Sequence, residues 1–130
     1  LSHAKFKLRY HIIFSTKYRK GLLRNKIGNK IKSYMLKCCT KDWNIEIMEI
    51  DPKMPNHIHL LIKSTPYVSI TEIIHKLKQT STYYVWKENH NYMKSYYWTG
   101  QHHLWTKGYF CTTIGDACTE TIWNYIKNQG

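Results

Sequence analysis

Acidic residues are scarce. Aspartate and glutamate together number 8 against 20 lysines and arginines, giving a formal charge of +12 in 130 residues. That balance points to a polyanionic partner, nucleic acid ahead of a membrane surface, with a merely solvated basic surface as the alternative. The basic residues are spread through patterned segments, which excludes a disordered basic tail. Long apolar runs are missing as well: none approaches the about 20 residues of a membrane span, and no signal peptide is visible, so a cytoplasmic protein is expected. The chain begins at Leu1, and a few native residues before it are expected. Only four cysteines occur, Cys38, Cys39, Cys111 and Cys118, and none forms a C-x-x-C pair. An adjacent pair beside two singletons fits neither a zinc knuckle nor a secreted disulfide framework, so reduced, mostly buried thiols are expected. No repeat, linker or low-complexity run divides the sequence, and 42% hydrophobic residues suffice for one core; residues 1–130 read as a single domain.

What the sequence does have is rings. Aromatic residues make up 15% of it, with eleven tyrosines and five tryptophans, many beside Lys, Arg or Asn. Unpaired bases stack on such rings, so the mixture leans towards single-stranded nucleic acid; core and interface packing is the other use of the same residues.

The hydrophobic periods give the order of elements. Phe6, Leu8, Tyr10, Ile12 and Phe14 alternate with Lys7, Arg9 and His11, which predicts a strand. The turn after it, Thr16-Lys17-Tyr18-Arg19-Lys20-Gly21, carries charge and a ring where phosphates and a base can be held, with a merely solvated turn as the equal alternative. Ile27, Ile31, Tyr34, Met35 and Cys38 recur at three and four, an amphipathic helix over 25–39. Trp43, Ile45 and Ile47 alternate with Asn44, Glu46 and Met48 in a second strand, which Asp51-Pro52-Lys53 turns into a third. Ser69 and Glu72 form a capping box before Ile70, Ile73, Ile74, Leu77, Tyr84 and Val85. The outer face of that helix, Lys76, Lys78, Gln79, Thr80, Ser81 and Thr82, is able to lie along a sugar-phosphate backbone, although judged alone it fits an ordinary solvated helix face slightly better. Residues 87–103 read as a long ordered loop, 108–114 as another strand, and Gly115-Asp116 as the cap of a last helix with Cys118, Ile122 and Tyr125 on one stripe. This succession suits an α+β fold: one antiparallel sheet flanked by helices, ferredoxin-like βαββαβ with an extra C-terminal helix. Many RNA-binding modules share that topology, so fold alone does not settle function.

The stretch Met54-Pro55-Asn56-His57-Ile58-His59-Leu60-Leu61-Ile62 concentrates the chemistry. On a strand His57 and His59 share one face and Ile58, Leu60 and Ile62 the other, and two imidazoles side by side suit one metal ion if other donors join them. Tyr125 and Gln129, four apart in the last helix, lie on one face about a turn from each other. If that face docks over the histidines, the pocket holds two imidazoles, an amide oxygen and a phenol. His11, His75, His90, His102 and His103 read as structural or DNA-facing.

His57-Ile58-His59, with a tyrosine in a C-terminal helix and a glutamine four residues later, resembles the single-tyrosine transposases of the HUH nuclease superfamily, enzymes of small bacterial and archaeal insertion sequences that move as single-stranded DNA. The similarity runs nearly end to end: Tyr10 to Phe14 with Lys17-Tyr18-Arg19, Met54 to Leu61, Leu104-Trp105 through Gly108-Tyr109-Phe110, and Tyr125 to Gly130. The resemblance implies that Tyr125 is the nucleophile forming a 5′-phosphotyrosine and that His57, His59 and Gln129 hold a magnesium or manganese ion. It implies DNA with hairpin ends as substrate and a homodimer whose active sites are shared between subunits. Lys17, Tyr18, Arg19, Lys20, Lys76, Lys78 and Gln79 are the expected DNA contacts. Asn56 departs from the family, standing where many relatives carry aspartate. A non-catalytic single-stranded nucleic-acid-binding module is the alternative, but it has no need of the Tyr125 and Gln129 pair. A plain HUH nuclease of plasmid replication is disfavoured by the small size of the chain.

Overall fold

The computed structural model describes residues 8–115 together with Asn124 and Lys127. In chain order the elements are β1 (Leu8–Ser15), a 3-10 turn (Lys17–Arg19), α1 (Asn25–Leu36), β2 (Trp43–Glu49), β3 (His57–Ser64), α2 (Ile70–Glu88), α3 (His90–Tyr96) and β4 (Phe110–Ile114). The strands form one sheet in the order β2-β3-β1-β4 with every neighbouring pair antiparallel. This is the expected α+β, ferredoxin-like arrangement. The expected C-terminal helix with Tyr125 lies outside the described residues.

Alternation decides the two faces of the sheet. Ile12, Phe14, Ile45, Ile58, Leu60 and Ile62 share one cluster with Ile27, Ile31, Tyr34 and Met35 of α1 and Ile73, Ile74, Leu77, Val85 and Trp86 of α2. Each fully buried Ile, Leu or Phe contributes roughly 1.5–3 kcal/mol relative to exposure, so both central strands are anchored on the helix layer. The opposite face receives His11, Ile13, His57, His59 and Leu61, because paired residues in an antiparallel ladder point the same way: Ile13 stands against His59 and His11 against Leu61. The helix-facing residues thus hold the strands, and their neighbours of opposite parity present the histidines.

The start of α2 follows its capping box. The Ser69 hydroxyl accepts from the Glu72 backbone N–H at 3.1 Å and donates to Glu72 Oε1 at 3.2 Å. Three expectations need correction. Residues 87–103 are not one loop: α2 runs to Glu88, Asn89 leaves helical geometry at φ −136°, and α3 begins at His90. Buried Trp86, Met93 and Tyr97 stand seven and then four residues apart across that break, an apolar pattern that the crowd of neighbouring rings conceals. Ser81 is not on the outer face of α2; fully buried, it donates to the Leu77 carbonyl at 2.7 Å and accepts from Trp105 Nε1 at 2.9 Å.

The third correction concerns β2. Its partners run Ile45 to Ile62 and then Ile47 to Leu61, a bulge that steps over Glu46. Beyond it the alternation is inverted: Ile47 takes the histidine face, Met48 the helix face, and Glu49 stands opposite His59. Glu46 meets Arg9 of β1 in a salt bridge, with Arg9 Nε 2.8 Å from Glu46 Oε1.

Candidate active site

β3 sets His57 and His59 two residues apart on the face away from the helices, with ring centroids 5.1 Å apart and planes at 71°. Each ring has one nitrogen already engaged. His57 Nδ1 lies 2.9 Å from Asn56 Oδ1; since that oxygen accepts, Nδ1 carries the proton and Nε2 is left as a lone pair. Asn56 thereby does for His57 what a carboxylate or carbonyl does behind many metal-binding imidazoles. His59 Nδ1 lies 3.0 Å from His11 Nε2, which leaves its Nε2 as the ring nitrogen available to a ligand.

The surroundings of His59 and His11 favour the neutral ring, the form in which an imidazole binds metal. Burial, and then the proximity of His11 and His57, bring His59 down to about 4, against a weak upward pull from Asp51. His11 is lowered by burial. The unfolded chain takes up a proton on His59 near 6.5 and the folded chain only near 4, so in this window unfolding is coupled to proton uptake. The contribution is therefore fully present above pH 6.5 and lost as pH falls towards 4. Chemical denaturation of metal-free protein from pH 7 to 4 is expected to show this fall in stability, and His59→Gln to flatten it. An unchanged slope in the variant would contradict the assignment.

Among the described residues no group of three or more His, Cys, Asp or Glu gathers to hold a metal ion. The two histidines fit a shared cation in chemistry and spacing but need further oxygen donors. Gln129, expected to supply one, and Tyr125, the expected nucleophile, both lie outside the described residues. Of the described tyrosines, burial pushes Tyr97 up to about 12 and raises Tyr34 and Tyr92 too, which disfavours a phenolate on any of these three.

The expected DNA contacts separate into two places. The Lys17–Lys20 turn joins the histidine site: Thr16 N–H donates to the Asn56 carbonyl at 2.8 Å, and the Thr16 hydroxyl donates to Lys20 O at 2.7 Å. Tyr18 and Arg19 take positive φ, 59° and 53°, a geometry that costs non-glycine residues energy and clusters at functional loops. The turn is fixed by Lys17 N–H donating to Leu104 O at 2.8 Å and by the Tyr97 hydroxyl donating to Lys17 O at 2.7 Å. Tyr18 and Trp98 are each 67% exposed. With Tyr97 and His103 they line a cavity of about 200 Å³, and Lys20 Nζ lies 5.2 Å from the Trp98 ring. Trp98 is not among the expected contacts, although the density of rings in 92–98 is the signal for it; His103 is one of the histidines read as structural or DNA-facing.

Lys76 and Gln79 are exposed on α2, in the layer across the sheet from the histidines. Lys78 is different. Its ammonium donates to the carbonyls of Thr106, Lys107 and Gly108 at 2.9, 3.2 and 3.0 Å and lies 5.3 and 5.5 Å from the Phe14 and Tyr109 rings. Its three N–H bonds are engaged, and burial lowers its pKa. Lys78→Met is expected to cost roughly 0.5–1.5 kcal/mol in urea unfolding, by removing its hydrogen bonds to loop carbonyls that are half-buried or exposed, with DNA affinity unchanged. Weakened binding at unchanged stability would return Lys78 to the DNA interface.

Comparison with known proteins bears on this geometry. The family model described as "Transposase IS200 like" matches residues 4–129. The transposase for insertion sequence element IS200 of Salmonella typhimurium is 28% identical over 130 residues, covering 99% of this chain and 81% of that one. A crystal structure of a Deinococcus radiodurans protein described as a transposase is similar at a TM-score of 0.74 and 27% identity, over 99% of this chain and 95% of that one. A REP-associated tyrosine transposase bound to a REP hairpin shares the fold at a TM-score of 0.59 and 12% identity, over 92% of this chain and 61% of that one.

Proposed function

The chain belongs to the family of IS200-like transposases, and on that premise we propose that it cuts and rejoins single-stranded DNA at insertion-sequence ends through a 5′-phosphotyrosine on Tyr125. The observation that supports this best is the pair His57 and His59, each with Nδ1 engaged by a neighbour and Nε2 free for one cation. Gln129 adds an amide oxygen to that set. Magnesium or manganese suits a site completed by phosphate oxygens and water, and two imidazoles favour manganese. When bound, the ion offsets the negative charge that builds up on the phosphate during in-line attack.

The protein's own residues do the rest. The Tyr125 hydroxyl attacks phosphorus, the P–O bond to the 3′ oxygen breaks, and the leaving strand departs as a 3′-hydroxyl. No water enters, so a later 3′-hydroxyl reverses the step on another strand. The substrate is DNA with hairpin ends, in keeping with the hairpin held by the REP-associated relative. Lys17, Arg19 and Lys20 meet phosphates, Tyr18 and Trp98 stack unpaired bases, and Lys76 and Gln79 extend contact to the helix layer. The functional unit is a homodimer in which Tyr125 of one subunit serves the histidines of the other.

A labelled hairpin oligonucleotide incubated with the protein and manganese should give an adduct that survives denaturation and disappears with chelator. Binding that ignores chelator, with no adduct under any metal, would instead favour a non-catalytic nucleic-acid-binding module. Tyr18→Ala and Trp98→Ala should each weaken hairpin binding by about 1–3 kcal/mol, the usual worth of a stacked base, as read by fluorescence anisotropy. Unaltered affinity in both variants would remove this cavity from the interface.

A further inference from the structure

His11 sits in the middle of the sheet with none of its surface exposed, stacked on His59 at 5.2 Å between centroids and met edge-on by Phe110. Its Nε2 is 3.0 Å from His59 Nδ1, and its own Nδ1 is buried with no hydrogen-bond partner among the described residues. Packing alone gives no reason for an imidazole there: a leucine or phenylalanine would fill the position without an orphaned nitrogen. The reason lies in what the shared contact does to His59.

A neutral imidazole has one N–H and one lone pair, and a contact between two ring nitrogens holds one proton. Two arrangements are open. In the first, His11 donates from Nε2, and the proton of His59 itself sits on Nε2 and blocks the atom that faces a ligand. In the second, His59 donates from Nδ1, its Nε2 becomes a lone pair, and the proton of His11 occupies the orphaned Nδ1.

We propose that His11 is a positioning residue for His59: by accepting the Nδ1–H of His59 it fixes that ring as an Nε2 ligand, and divalent-cation binding selects the second arrangement. Passing from the first to the second, the bridging proton moves from His11 Nε2 to His59 Nδ1. His59 Nε2 gives its proton to solvent as the cation arrives, and His11 Nδ1 takes one up, so the charge of the pair is unchanged. The unpartnered nitrogen is the place the fold keeps for that proton. This inference rests on the reading of His57 and His59 as cation ligands.

The test uses the full chain, isotopically labelled at histidine nitrogen, with Mn²⁺ binding followed by the electron paramagnetic resonance of the free ion. Histidine tautomers are read from long-range proton–nitrogen spectra with Mg²⁺. In the wild type, Mg²⁺ should leave His59 protonated on Nδ1. His11→Phe should weaken Mn²⁺ binding by about 10- to 100-fold, the usual effect of removing a partner behind a ligand, and His11→Gln, whose amide oxygen accepts from Nδ1, should restore most of it. Wild-type affinity in His11→Phe, or His59 protonated on Nε2 in the Mg²⁺-bound wild type, overturns the role of His11. A wild-type chain that binds neither ion overturns the cation reading itself, a distinct result. If His11→Phe does not fold, the wild-type tautomer and His11→Gln decide the matter.

Discussion

Tyr125→Phe is expected to abolish the covalent adduct with hairpin DNA while leaving hairpin affinity unchanged. The substitution removes one oxygen, the atom proposed to attack phosphorus, and keeps the aromatic ring. A phenol ionises near pH 10 and is a weak nucleophile until a neighbouring charge favours its phenolate. Burial raises Tyr34, Tyr92 and Tyr97, which disfavours those three as substitute nucleophiles. The adduct should be undetectable on denaturing gels, a loss of at least about 10⁴-fold, or some 5 kcal/mol of barrier. An adduct that persists would transfer the nucleophile elsewhere. Mixing this variant with a His57→Ala chain tests the sharing of sites: a homodimer built as proposed regains one complete site and some adduct, whereas sites completed within one subunit stay dead.

The second large effect separates the two histidines. His57→Ala and His59→Ala should both remove Mn²⁺ binding and adduct formation, but only the second should also lower stability. His57 is half-buried and tied to its own neighbour Asn56, so its loss uncovers little. His59 is 8% exposed, and its removal strands the second nitrogen of a fully buried His11, a cost of about 1–3 kcal/mol. Urea titrations of the metal-free variants read the difference directly. Equal stabilities would mean that His11 finds another partner or that water enters the gap.

Much of this was legible in the sequence wherever the controlling interaction is local. Alternation placed His57 and His59 on one face, the periods of three and four found α1, and a serine with a glutamate three residues on marked the start of α2. The failures share a cause: their partners are distant in sequence. Lys78 has the composition of a surface contact, yet its carbonyls lie 28 to 30 residues away. Ser81 is buried by Trp105, 24 residues on. His11 belongs to an alternating polar face and reads as structural or DNA-facing, and only the pairing of β1 with β3 brings its ring to His59. Asn56 is the opposite case, a neighbour in sequence that stands where many relatives carry aspartate, and its side-chain oxygen lies 2.9 Å from His57 Nδ1.

The bulge in β2 sets where this sequence can lose a codon. Because the pairing steps over Glu46, an in-frame deletion of that residue would leave Ile47, Met48 and Glu49 opposite the same partners, at the expense of the ionic partner of Arg9. Dropping Met48 instead would slide Ile50 to the place opposite His59, exchanging a carboxylate for a hydrocarbon beside the active site. Length variation among related chains should accordingly collect at position 46 and avoid the three residues after it.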